Sequence, residues 1–158
     1  MRPYSKTQII LHWVVALLVV AQFVFHDPIA AAWDAFVEGR ATPFNPMVAA
    51  HVFGGGAILL LVVWRLVIRA KQGPVAAVAG TSPMMERVTH LGHLALYAVL
   101  ILMAFSGMGA WFGGVKTAAD VHGLLKLAVL ALVGGHFLAA LYHQFWLKDG
   151  LLARMSPH

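Results

Sequence analysis

Nine histidines and no cysteine define the metal chemistry open to this chain. Imidazole nitrogen is the obvious ligand. Disulfides, iron–sulfur clusters, thiolate zinc sites and covalent haem attachment through C-x-x-C-H are excluded. Three of the histidines, His122, His136 and His143, lie in the last apolar stretch, DVHGLLKLAVLALVGGHFLAALYHQFW. At about 100° per residue, the fourteen-residue step from His122 to His136 returns to within roughly 40° of its starting direction, so both share one helix face. At about 1.5 Å per residue they stand roughly 21 Å apart, most of the roughly 30 Å hydrocarbon thickness of a bilayer. Imidazoles held in such places cannot reach water cheaply and are functional candidates. Each reads as an axial ligand of one b-type haem, with electrons passing between the two membrane faces.

The elements that must position these residues are membrane spans. Of the 158 residues, 61% are hydrophobic and 11% charged, far from the roughly 25% charged residues of a soluble domain. The expectation is one all-α domain over 1–158, an integral membrane four-helix bundle with spans at about 7–26, 47–69, 86–112 and 119–146. The first run contains His12, Trp13 and Gln22 and is followed by no small-residue cleavage site, so it reads as a retained span rather than a signal sequence. Between the first two runs, Ala30 to Val37 reads equally as one or two interfacial turns or as a loop with aromatic anchors. A linker with Pro74, Gly80 and Pro83 separates the second and third runs.

Lysine and arginine orient the bundle. Arg2 and Lys6, then Arg65, Arg69, Lys71 and Arg87, then Lys148 and Arg154 fall on one side, so both termini are expected in the cytoplasm. The other side has Arg40 and Lys116 against Asp27, Asp34, Glu38 and Asp120. Topology accounts for the net charge of +5, and no basic stripe interleaved with aromatics suggests nucleic acid.

A six-coordinate haem takes two axial ligands at one level, from different helices. His51 lies about 8 Å and His122 about 6 Å in from the outer starts of their runs. His12 lies about 8 Å and His136 about 15 Å in from the other side. The expected pairs are therefore His51 with His122 and His12 with His136, with His93 competing for the place of His12 and His143 for that of His136. Gly54, Gly55, Gly56, Gly123, Gly134 and Gly135 stand beside them and would let something bulky approach the backbone. Arg65 and Lys126 are candidate partners for haem propionates. His93 and His143, left over near the cytoplasmic edge, are candidate quinone neighbours and proton suppliers. Zinc or copper transport would want acids inside the bundle, and no Asp or Glu lies deep in any run.

The segments YSKTQIILHW, MVAAHVFGGGAILLLVVWRLVIR, PMMERVTHLGHLALY and VHGLLKLAVLALVGGHFLAALYHQFWLKDGLLARM resemble the bacterial cytochrome b561 family over nearly the whole chain. The resemblance implies two non-covalent b haems with iron ligands at His12, His51, His122 and His136. It is closest to standalone members of the bacterial inner membrane that act as superoxide:ubiquinone oxidoreductases. That would make the chain an enzyme, taking electrons from superoxide or another periplasmic donor and reducing ubiquinone or another membrane quinone near the cytoplasmic face. The alternative is a haem-bearing relay or anchor subunit, similar to those of formate dehydrogenase and nickel–iron hydrogenase.

Overall fold

The computed structural model describes residues 4–73, 78 and 81–156. Arg2, Pro74 and Gly80, used above for orientation and for the linker, lie outside the described residues. Among the described residues five helices follow one another: α1 (Lys6–Val24), α2 (Asp27–Val37), α3 (Pro46–Gln72), α4 (Pro83–Gly113) and α5 (Lys116–Tyr142). A π-helical turn, His143–Leu147, and a short 3-10 helix, Leu152–Met155, follow α5. Among the described residues four helices are long and apolar enough to cross a membrane.

Local sequence sets where each helix starts. Ser5 accepts from the Gln8 N–H while the Gln8 side chain accepts from the Ser5 N–H, a capping box that satisfies two otherwise orphaned donors. Asn45 caps α3 through the Met47 N–H at 2.9 Å, and Ser82 caps α4 through the Met85 N–H at 3.3 Å. Each of these caps is followed by a proline, whose missing N–H costs nothing in a first turn. Pro83 therefore begins α4 and does not belong to the linker. The Ala30–Val37 segment is part of a full eleven-residue helix, longer than the one or two turns allowed above. Pro28 lies in the first turn of that helix, and its Phe36 ring reaches Gly114, the left-handed residue (φ 65°) that ends α4.

The spans run alternately up and down. The close neighbours are α1 with α3, α3 with α4, and α4 with α5. At one end, here the tail end, Gln8 of α1 meets Arg65 of α3, and Arg69 of α3 meets His90 of α4. At the other, the α2 end, His26 meets His51 and Gly107 meets His122.

A step of seven residues turns a helix through about 700°, so residues at that spacing lie within roughly 20° of one line. Every span carries such a line. On α5 it is His122, Val129 and His136, on α3 His51, Ile58 and Arg65, on α1 His12 and Val19, and on α4 His93, Leu100 and Gly107. The bundle is therefore built in three layers. Histidines fill the two ends. The middle is closed by Val15, Val19, Ile58, Val62, Val99 and Val129, with Val62 and Val129 only 1% exposed. Large apolar side chains point the other way: Leu17, Phe53 and Leu60 are 68%, 74% and 73% exposed. That outward surface suits lipid, where packing and hydrogen bonding rather than water exclusion hold helices together.

Candidate haem-binding site

At the α2 end, His51 of α3 and His122 of α5 face each other with ring centroids 6.4 Å apart. The backbone carbonyl of Met103 can only accept, so the His122 Nδ1–H donates to it at 2.9 Å, and Nε2 keeps the free lone pair. The Ser106 hydroxyl donates to the same carbonyl at 3.0 Å and lies 3.3 Å from His122 Nδ1. Gly107 makes this approach of α4 possible, since a Cβ there would stand 2.9 Å from His122 Cε1. His26 sits 6.3 Å from His51, centroid to centroid. The Gln22 side-chain amide donates to the His51 carbonyl at 3.2 Å. Its Oε1 and the Nδ1 of His51 are buried polar atoms with no hydrogen-bond partner. Lys126, half-buried, lies within electrostatic reach of His122.

At the tail end, three histidines from three helices converge. His12 of α1 is 6.0 Å and His93 of α4 is 5.3 Å from His136 of α5, between ring centroids. Arg65 donates to the Gln8 carbonyl at 3.2 Å and lies within electrostatic reach of all three rings. Trp13 packs edge-on against His12 at 5.4 Å. The Arg69 guanidinium donates to His90 Nδ1 at 2.9 Å. The two leftover histidines are thereby separated. His93 joins the cluster, whereas His143 lies one helical repeat further towards the tail and bonds Asp149.

Both facing pairs suit an iron between them. Two axial imidazoles on one iron hold their ring centres roughly 6 to 6.5 Å apart, from a metal–nitrogen bond of about 2 Å and about 1.1 Å from nitrogen to ring centre on each side. The unpartnered Nδ1 of His51 is a second sign of a site whose donors serve more than the protein fold. The glycines are a third. At Gly55, Gly56, Gly123, Gly134 and Gly135 an added Cβ would meet no atom within 4 Å, leaving bare backbone beside the histidines. Gly54 is a correction to that set. A Cβ there would collide with Gln22 Nε2, so this glycine makes room for the glutamine.

Sequence reasoning missed Gln22, Met103, Ser106 and Gly107. The Met103 contact is made by backbone and leaves no mark in side-chain chemistry. Gln22 did leave one: it is a polar residue inside an apolar run, ten residues after His12 and four before His26.

The sequence profile of the prokaryotic cytochrome b561 family matches residues 3–158. The chain is 37% identical over 152 residues to "Cytochrome b562" of Cereibacter sphaeroides, covering 96% of this chain and 94% of that protein. It is 30% identical over 182 residues to "Probable superoxide oxidase CybB" of Yersinia pestis, covering 99% and 97%. It is 27% identical over 178 residues to "Cytochrome b561 homolog 1" of Escherichia coli, covering 99% and 98%. A four-span helical bundle with histidines facing each other across its interior is the architecture of a membrane electron carrier. The chain belongs to the prokaryotic cytochrome b561 family, bacterial multi-pass membrane proteins that transfer electrons through b-type haem.

Proposed function

We propose that this chain is a di-haem cytochrome that moves electrons from a periplasmic donor, superoxide, to a membrane quinone at the cytoplasmic face. It would work as one domain in the inner membrane with both termini in the cytoplasm, so that the α2 end is outer and the tail end inner. The observation that carries the reading is the pairing of imidazoles at both ends of one bundle, at 6.4 Å and 6.0 Å, with an apolar layer between them. The name of the Yersinia pestis relative supports superoxide as donor.

Bound b-type haem supplies one-electron chemistry. His51 and His122 would hold one and His12 and His136 the other, with Lys126 and Arg65 as the cations for propionates. The chain's own residues do the rest. The Met103 carbonyl fixes the His122 ring and its tautomer. The valine layer keeps water from the interior between the two sites. His93, against His136, stands where a quinone would need a hydrogen-bond donor. The balanced reaction takes two superoxide ions, one quinone and two protons, and yields two dioxygen molecules and one quinol. Pyridine haemochrome analysis of the purified protein should give two haems per chain. One haem or none would refute the reading.

A further inference from the structure

We propose that His143 and Asp149 form the proton-delivering pair for quinone reduction, a role that rests on the quinone reading above. His143 continues the α5 line that holds His122, Val129 and His136. It lies seven residues, or about 10.5 Å, beyond His136 towards the tail, on the face that turns to His12 and His93. It is only 9% exposed. Helix α5 gives way to a π-helical turn at this residue, a rare widening that is frequent at functional sites.

The chain beyond it is shaped to bring one carboxylate back. Lys148 (φ 51°) and Gly150 (φ 73°) both adopt left-handed backbone and bracket Asp149. Asp149 Oδ2 then lies 2.5 Å from His143 Nδ1, and Oδ1 accepts from the Leu151 N–H at 3.1 Å. A carboxylate accepts, so Nδ1 carries the hydrogen and Nε2 is the nitrogen left to exchange a proton. The 3-10 helix then crosses to α1, where the Trp13 indole N–H donates to the Met155 carbonyl at 2.8 Å. The pair is thus a polar unit within a segment that joins α5 to α1 beside the tail-end histidines.

Quinone reduction consumes two electrons, which come from the outer donor, and two protons. For each proton, His143 Nε2 takes one from cytoplasmic water and becomes imidazolium, stabilised by the Asp149 carboxylate. It then gives that proton to a quinone oxygen and returns to neutral. Asp149 stays ionised and the Nδ1–H stays in place, so two cycles complete one quinol.

The test uses the haem-loaded protein in nanodiscs with ubiquinone and pulsed superoxide. Asp149→Asn should keep the wild-type haem content and dithionite-reduced spectrum. Its quinone reduction should fall about tenfold or more, the scale of a lost proton-transfer group, with a larger solvent deuterium isotope effect. Asp149→Glu should recover most of the rate. Should Asp149→Asn fail to assemble, His143→Ala serves instead, with its lost quinone reduction restored by added imidazole. An Asp149→Asn rate within twofold of wild type, or no rescue of His143→Ala by imidazole, overturns the proposal. Wild-type protein that accepts electrons from superoxide yet reduces no quinone would sink the quinone reading itself, and this pair with it.

Discussion

Gly107 and His122 are fitted to each other, and the missing Cβ of one is the space the other occupies. A methyl group on Gly107 would stand 2.9 Å from His122 Cε1 and 3.1 Å from Nδ1. The ring cannot retreat without giving up the Met103 carbonyl. Gly107→Ala should therefore displace the imidazole, at an overpacking cost of about 1–3 kcal/mol. On the reading above, the variant loses the outer haem and keeps the inner one. Haem per chain, with the reduced spectrum resolved into its two components, checks this.

Gln22 and Gly54 make a second fitted pair, and this one can be read by a double-mutant cycle. Gly54→Ala puts a methyl group where the Gln22 amide lies and breaks its bond to the His51 carbonyl. Losing that bond costs about 0.5–1.5 kcal/mol, with steric strain added. In the double variant Gly54→Ala with Gln22→Ala the clash is gone, so the two effects on thermal stability should be clearly less than additive. Additive effects would mean that the two residues do not meet.

Three rings meet at the tail end, and substitution sorts them. His12→Phe should lower the haem count from two to one and His93→Phe should leave it at two, because His12 is the assigned partner of His136 at 6.0 Å. The opposite result would move the ligand role to His93, whose ring is nearer, at 5.3 Å. His51→Ala and His122→Ala should each remove the outer haem alone.

Much of this was legible because an ionisable group in an apolar run is conspicuous. His12, His51, His122 and His136 stood out from their surroundings, and helical rise put them at two levels, where the structure holds His51 and His122 6.4 Å apart and His12 and His136 6.0 Å apart, with His93 nearer still to His136. What was not legible depends on contact between helices. Nothing local distinguishes Gly107, which admits a ring, from Gly55, which faces open space. The six-residue step from His143 to Asp149 does not announce a contact either. It depends on a π-helical turn and on a lysine in left-handed backbone, which few would assign to that residue type. Pro83 was ambiguous for a different reason. A proline that ends a linker and one that opens a helix look the same without the cap before it.

The carboxyl of Asp149 gives a prediction in pH. Burial pushes it up, but hydrogen bonds from His143 and the Leu151 N–H outweigh burial and hold it below the usual carboxylate range. A lowered folded-state value means that its stabilising contribution is fully present above the unfolded value of about 3.9 and is lost as pH falls through the folded one. Asp149→Asn should therefore melt below wild type at pH 7, with the gap closing as the medium is taken below about pH 4. Melting curves in detergent across this range measure it, and a gap that persists at low pH would assign the difference to something other than this ionisation.

Steering of an anionic donor would depend on Lys116 and Lys126. Arg40 is already engaged with Glu38, at 2.5 Å. Lys116 is exposed at the start of α5, and Lys126 lies one turn past His122. Replacing both lysines with Gln should lower the second-order rate of haem reduction by superoxide and flatten its dependence on ionic strength, because steering is screened by salt. A wild-type rate indifferent to salt would discard the steering argument.

The layer of Val15, Val19, Ile58, Val62, Val99 and Val129 has a consequence for the energetics of the cell. None of these six side chains has a polar atom to pass a proton along, so on the reading above electrons would cross between the two histidine levels without protons. Turnover would then be electrogenic. Each crossing carries a charge through part of the membrane voltage, worth about 2.3 kcal/mol per 100 mV for the full span. With the donor outside and protons taken up inside, as proposed above, the reaction would make the interior more negative and more alkaline. It would add to the potential that respiration maintains and slow as that potential rises. In sealed proteoliposomes, an uncoupler should speed it.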